Sequence, residues 1–388
     1  MRAPERLFGL DAMRGFAALS VVVFHWQFWG VDVNRTAPAG GFPLPRAIGE
    51  AFLAFFYQCG MSAVGLFFTL SGFVFYWLYR NAIEARRVGG RWFFVDRFSR
   101  LYPLYFVTLL WAWGGHNLYA WMNQGPNWSS GVNDFTGFLR QVFVFPLWTP
   151  HRVIGFNLPA WSLAVEALLY TLFYFLARRA TARLVTTLAM LLVAVVAGRY
   201  SSDISYGMTS FFMGGLCYVV FELVEGAWLE RTLRVIVGLS WLLAIVFGCG
   251  LVRLALTPLA FLDHFYAMYV LFPATVLYLA LLETRRGPVG RGLTWLGDST
   301  YAIYLIHFPL MLTTAIAWHS VGGDFQRLRS PFVLATFIVV VVLLALASHR
   351  FFERPVQAWI RRRSSLQGAG AAAARGVAAV QPESAPGG

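Results

Sequence analysis

The chain has 388 residues, 58% of them hydrophobic and 13% charged, with a mean hydropathy of +0.61. Soluble domains hold about 45–50% apolar and ~25% charged residues, so this composition excludes an ordinary soluble globule and points to a chain immersed in lipid. A formal charge of +13 would suit nucleic acid, but the 31 basic residues, all arginine, are confined to gaps between apolar runs and form no single solvated face.

Runs of about 17–25 apolar residues are long enough to cross a bilayer as helices. Ten are expected, roughly at 10–29, 51–79, 102–122, 158–176, 184–199, 205–222, 235–252, 264–282, 294–318 and 331–350. The chain therefore reads as an all-α integral membrane protein. No small-residue cleavage site closes the first run, so it reads as a retained span and not as a signal peptide. That span carries Asp11, Arg14 and His25, and ionisable groups inside a membrane helix are costly and tied to function. Arg14 and His25 share a helix face to within roughly 20° and lie ~16 Å apart along it. A fixed cation near one surface and a titratable imidazole towards the other suit an anionic molecule that docks at the first and reacts near the second.

The second run is long and is expected to tilt or break near Gly72. Between it and the third lies RRVGGRWFFVDRFSRLYPLY, where Arg97 and Arg100 are neighbours on one face if the segment is helical. Arg86, Arg87 and Arg91 read as topogenic charges. The Arg97–Arg100 pair sits against the apolar entry Leu101-Tyr102-Pro103, and paired guanidinium groups there suit phosphate. Segment 135–149 is apolar but short, holds Arg140 and Pro146, and reads as interfacial or re-entrant.

In the fourth span Glu166 lies about eight residues below the outer end, ~12 Å deep by helical rise. It is either a structural partner of an arginine or backbone group, or a carboxylate that orients a histidine. In the ninth span His307 precedes Pro309; taken alone, it reads as a packing residue hydrogen-bonded to a neighbour. Gly297-Asp298-Ser299 resembles a hydrolase nucleophile block by chance only, because no companion blocks accompany it. His116, His151, His264, His319 and His349 fall in loops or at span ends without ligand spacing, so no metal site is expected. Cys59, Cys217 and Cys249 have no paired spacing and suggest neither disulfides nor zinc.

With the N-terminus cytoplasmic, the inside segments hold 22 arginines and the outside segments 8. This positive-inside bias places both termini in the cytoplasm. Residues 1–363 form the transmembrane domain. The Ala/Gly/Ser/Pro-rich tail, 364–388, cannot bury enough surface to fold and is expected to be disordered.

Several stretches in register resemble the acyltransferase 3 family of membrane acyltransferases. They are Leu10-Asp11-Ala12-Met13-Arg14-Gly15 with His25, Phe67 to Phe73 (FFTLSGF), Arg97-Phe98-Ser99-Arg100-Leu101-Tyr102-Pro103, Trp161 to Glu166, Tyr301 to Pro309 and Phe352-Glu353-Arg354-Pro355. The similarity covers about residues 7–360. It implies a multi-pass enzyme of the bacterial inner membrane that takes an acyl group, usually acetyl from cytoplasmic acetyl-CoA, to a hydroxyl of a carbohydrate or envelope polysaccharide. In the family the first-span histidine is the essential catalytic residue, here His25. The companion arginine corresponds to Arg14, and the arginine pair to Arg97 and Arg100. Some members carry an extra extracytoplasmic hydrolase-like domain at the C-terminus; its place here is taken by the tail, which leaves room for a separate partner protein.

Sequence and resemblance together give an expected mechanism. CoA phosphates dock on Arg14, Arg97 and Arg100, because burying a phosphate in hydrocarbon is prohibitive. His25 then acts as general base on the acceptor hydroxyl, or alternatively as an acyl-carrying nucleophile. Glu166 is the candidate for orienting His25. Ser71 either offers a polar contact near the thioester or belongs to a close-packing Ser-Gly pair. The outside segments 30–50 and 123–157, with Trp128, Trp148 and then Trp161, are the expected acceptor region. The competing reading is a transporter or flippase of a lipid-linked sugar. It lacks an internal repeat and leaves the cation cluster at one mouth unexplained.

Overall fold

The computed structural model describes residues 6–28, 48–122, 135–143, 155–179, 182–223, 227–248 and 265–364. All regular structure among them is helical. Lipid offers no water to backbone N–H and C=O groups, so each crossing has to close its own hydrogen bonds. The helices are α1 (Phe8–Trp26), α2 (Ile48–Cys59), α3 (Ser62–Phe75), α4 (Gly90–Trp121), α5 (Phe135–Val142), α6 (Trp161–Arg179) and α7 (Arg183–Ala197). They continue as α8 (Ser202–Leu223), α9 (Ala227–Gly248), α10 (Phe272–Arg286), α11 (Thr294–Ser320), α12 (Pro331–Ser348) and α13 (Arg354–Arg363). Single π-helical turns extend α3 (Tyr76–Arg80), precede α10 (Ala267–Leu271) and join α12 to α13 (His349–Glu353).

Seven segments are long and apolar enough to cross a membrane: Phe8–Trp26, Ser62–Glu84, Leu158–Arg179, Ser202–Leu223, Ala267–Arg286, Arg291–Ser320 and Pro331–Arg363. They fall on seven of the ten expected spans. The other three coincide with α4, α7 and α9, of which α7 is a shorter apolar helix. The most buried helices are α3, α8, α10 and α11, with α1 also more than half buried. By contrast α7, α9 and α12 turn large apolar side chains outward, among them Leu192, Leu242 and Leu343, each more than half exposed. That face suits lipid tails.

The break expected near Gly72 lies instead at Gly60-Met61, and the helix runs unbroken from Ser62 to Phe75. A Cβ on Gly60 would stand 2.6 Å from Phe24 Cβ and 3.0 Å from the Ser20 carbonyl, so the turn is pressed against α1. Gly72 serves helix packing instead, since a Cβ there would collide with the Phe211 carbonyl on α8. Across the same contact a Cβ on Gly214 would run into the Thr69 carbonyl and stand 2.8 Å from Phe73 N. These are backbone atoms that cannot swing aside. Gly214→Val is therefore expected to cost about 1–3 kcal/mol or to prevent folding, read as a lowered thermal midpoint in detergent. An unchanged midpoint would contradict this α3–α8 approach.

Segment 135–149 contributes the short helix α5, tied to α4 by the Tyr105 hydroxyl on the Gln141 carbonyl (2.5 Å) and the Tyr102 hydroxyl on the Val142 carbonyl (3.0 Å). The tail from residue 365 lies outside the described residues, as do Trp128, Trp148, His151, Cys249 and His264. Cys217 is a buried free thiol.

Candidate active site

Helix α1 enters both parts of the site, and its first turn is held by a side chain from α10. Glu283 accepts the Gly9 N–H at 2.7 Å and the Val289 N–H at 2.8 Å, so a buried carboxylate satisfies one of the N–H groups that every helix start leaves open. Two glycines then bring α1 and α11 together. A Cβ on Gly297 would lie 2.8 Å from Asp11 Cβ, and one on Gly15 2.8 Å from Leu296 Cδ2. Farther along, His25 meets His307. Because Asp11 faces Gly297 and His25 faces His307, the two helices run in the same direction.

A cavity of about 450 Å³ lies between α1, α3, α4, α6 and α11, with α13 at its arginine-rich mouth. It brings together Arg14, Arg97, Arg100, Ser71, Glu166 and Asp11, residues drawn from α1, α3, α4 and α6. Ser71 thus faces the cavity while its neighbour Gly72 makes the close helix contact, so the two readings of Ser-Gly divide between the two residues.

The cations at the mouth differ in how firmly they are held. Asp11 takes the Arg6 Nε at 2.5 Å and stands 3.5 Å from Arg14 Nη1, while Arg6 Nη2 reaches Asp298 at 2.6 Å. Burial opposes the Arg6 charge, but hydrogen bonds and attraction from Asp11 and Asp298 outweigh it and raise its pKa above the ordinary arginine value. Arg97 is locked. It pairs with the buried carboxylate of Asp96, donates to the Tyr79 hydroxyl at 2.8 Å, and lies over the Tyr79 and Phe75 rings at 5.1 and 5.5 Å. Asp96 also receives Arg361 from α13, so one carboxylate ties the C-terminal helix to α4. Arg100 is exposed and has no hydrogen-bond or ion-pair partner among the described residues.

Glu166 accepts a hydrogen bond from the Tyr170 hydroxyl and faces Arg100, Arg14 and Arg97. It makes no hydrogen bond to His25. The expected Glu166–His25 contact is therefore corrected: α6 turns this carboxylate into the cationic cavity, where three guanidinium groups partly offset the cost of its burial.

His25 and His307 form the second part. They are 282 residues apart in sequence, 6% and 0% exposed, with His25 Nδ1 to His307 Nε2 at 2.9 Å and ring centroids at 5.0 Å. Neither lines the cavity. Tyr304 stands between: it lines the cavity, its ring meets Phe67 at 5.6 Å and His307 at 6.2 Å, and its hydroxyl is fixed by the Pro159 carbonyl and Ser162 Oγ, each at 2.8 Å. Pro309 has no N–H to offer one turn back. The Leu305 carbonyl accepts from Asn157 Nδ2 at 3.1 Å, which ties the entry of α6 to α11.

Sequence reasoning did not find Tyr304, Tyr170, Asp96, Arg361, or His349 and Glu353 at the mouth. Tyr304 carried a signal, standing one turn before His307 in the Tyr301–Pro309 stretch. The others depend on helix rotation or on the π-helical turn at 349–353. Asp298 serves as an ion-pair partner and Ser299 bonds its own helix at the Trp295 carbonyl, so the hydrolase-like block is coincidental. Among the described residues no group of three His, Cys, Asp or Glu is arranged to hold a metal ion.

A family model described as an acyltransferase domain matches residues 7–349. "Acyltransferase MdmB" of Streptomyces mycarofaciens is 26% identical over 396 aligned residues, covering 92% of this chain and 93% of that protein. "Protein 2 in picA locus" of Rhizobium radiobacter is 36% identical over 107 residues, 27% of this chain and 44% of that protein. No solved structure matches the chain.

Proposed function

The chain belongs to the acyltransferase 3 family of membrane acyltransferases, and on that premise we propose that it moves an acyl group, acetyl in the first instance, from acyl-CoA to a hydroxyl of a carbohydrate of the cell envelope. The enzyme crosses the bacterial inner membrane ten times, with both termini and the arginine-rich mouth in the cytoplasm, as the arginine distribution supports. The observation that carries the reading is the meeting of Arg14, Arg97 and Arg100 in one cavity, while α1 continues from Arg14 to a buried histidine.

The residues fit an anionic donor. Arg100 has a free guanidinium and Arg14 a loosely held one, both suited to phosphate, whereas Arg97 shapes the site from a fixed position. His25 accepts the proton of the acceptor hydroxyl. The hydroxyl oxygen bonds to the acyl carbon, the carbon–sulfur bond breaks with its electron pair on sulfur, and the departing thiolate takes the proton back from His25. Tyr304 separates cavity from histidine in this conformation, so its ring has to move before transfer. The alternative in which His25 itself carries the acyl group predicts ping-pong kinetics. The acceptor approaches from the opposite end, where Trp161 opens α6, alone or with a partner protein.

Glu166 acts here as a counter-charge to the three arginines. Glu166→Gln is expected to lower the donor KM about three- to tenfold, because a more positive cavity holds a polyanion more tightly. A hundredfold fall in kcat at unchanged KM would instead restore a role in orienting His25. The donor site is tested by equilibrium binding of acetyl-CoA and its 3′-dephospho analogue to protein in nanodiscs. Weaker binding of the analogue and a steep loss with salt are expected; equal, salt-insensitive binding would place the phosphates elsewhere.

A further inference from the structure

We propose that His307 is a positioning residue that fixes the tautomer of His25 and leaves His25 Nε2 as the nitrogen that takes the proton. The inference rests on the reading of His25 as proton acceptor and assigns which ring atom does the work.

A hydrogen-bonded line of three groups, with the Val21 carbonyl as a further backbone contact of the His25 ring, fixes the tautomers. His307 Nδ1 lies 3.1 Å from the Ile303 carbonyl. A carbonyl only accepts, so His307 Nδ1 carries the hydrogen. Both rings are buried; Phe24, Phe28 and Phe308 surround His25, and Tyr304 lies against His307. No carboxylate is hydrogen-bonded to either ring among the described residues. A buried, unpaired charge is expensive, so the pair is neutral between turnovers. A neutral His307 protonated at Nδ1 has a bare Nε2, which must accept. The atom facing it at 2.9 Å is His25 Nδ1, which must therefore donate. That leaves the lone pair of His25 on Nε2.

The same line serves the protonated state. When Nε2 takes the hydroxyl proton, the Nδ1–H of the imidazolium already points at an acceptor, so no group has to reorganise as charge appears. His307 thus stands where a carboxylate stands in the serine-protease triad, but as a neutral acceptor that adds no permanent charge to an apolar site. The close α1–α11 approach at Gly15 and Gly297 holds the two rings in register. A histidine that merely fills space needs no such ordered pair of bonds.

The test uses the full chain, ¹⁵N-labelled at histidine, in lipid nanodiscs, with the His25 signals assigned by their loss in His25→Gln. In the wild type the expected His25 spectrum has Nδ1 protonated and Nε2 bare. In His307→Phe, which keeps the shape and removes the His307 acceptor while the Val21 carbonyl stays beside the ring, the tautomer redistributes and transfer falls on the order of 10²-fold. That is less than the ~10⁴-fold loss caused by a wrong tautomer in a carboxylate-held triad. In His307→Gln the amide oxygen accepts the same N–H, and tautomer and rate return to within about tenfold of wild type. A wild-type His25 protonated at Nε2, a native rate in His307→Phe, or folded His307→Gln no better than His307→Phe would each overturn the inference. If His25→Ala is inactive in the same assay, such a result removes the role of His307 alone. Transfer that survives in His25→Ala removes the underlying reading instead.

Discussion

His25→Ala is expected to reduce acyl transfer by at least ~10³-fold while leaving a folded membrane protein, because the substitution removes the group proposed to accept and return the reaction's proton. The structural cost is bounded. Losing the imidazole leaves His307 Nε2 buried without its donor, about 1–3 kcal/mol, and the site is flanked by aromatic rings that persist without it. Thermal unfolding followed beside the transfer assay separates the two effects. A folded His25→Ala protein that still transfers acetyl at near the native rate would contradict the proposal, whatever its donor affinity.

Removal of the arginine pair should give two different phenotypes, although the two residues are three positions apart. Arg100 is exposed and makes no hydrogen bond or close ion pair among the described residues, so Arg100→Ala should raise the donor KM roughly tenfold, about the effect of one charge-assisted hydrogen bond to phosphate, with the thermal midpoint unchanged. Arg97 is built into the fold through Asp96, Tyr79 and two aromatic faces. Arg97→Ala leaves the Asp96 carboxylate buried with Arg361 as its remaining partner. It should lower stability by up to about 3 kcal/mol as well as weaken donor binding. Steady-state kinetics at two salt concentrations, read with unfolding curves, distinguish them. Identical phenotypes would show that Arg100 is structural or that Arg97 is not.

Helix placement was largely legible in the sequence because a bilayer leaves the chain few choices. Apolar runs of spanning length mark α1, α3, α6, α8, α10, α11 and α12. The clustering of Arg14, Arg97 and Arg100 followed from their places at span ends, and all three line one cavity. What the sequence did not carry was rotation about each helix axis. Glu166 on α6 was equally free to face His25 or the arginines, and only packing of α6 on its neighbours decided for the arginines. The kink at Gly60 was invisible for a related reason: Gly72 and Gly60 look alike in sequence, and the difference lies in what a Cβ would strike. His25 read as the reactive end of the first span and His307 as a packing residue hydrogen-bonded to a neighbour, and their pairing depends on a contact 282 residues long in sequence. Arg14 and His25 share α1 as expected, but Tyr304, which divides cavity from histidine, depends on α11 lying parallel to α1.

The purified protein incubated with acetyl-CoA labelled in the acetyl group gives the most direct measurement. If a cationic mouth and a buried histidine form one acyl-transfer site, the thioester is consumed: free CoA appears with slow hydrolysis alone and faster with an envelope glycan acceptor, and both fall away in His25→Ala. If the thioester stays intact at every acceptor tested while a lipid-linked sugar crosses the bilayer in reconstituted vesicles, the polar groups form a transport path and the acyl-transfer account is wrong.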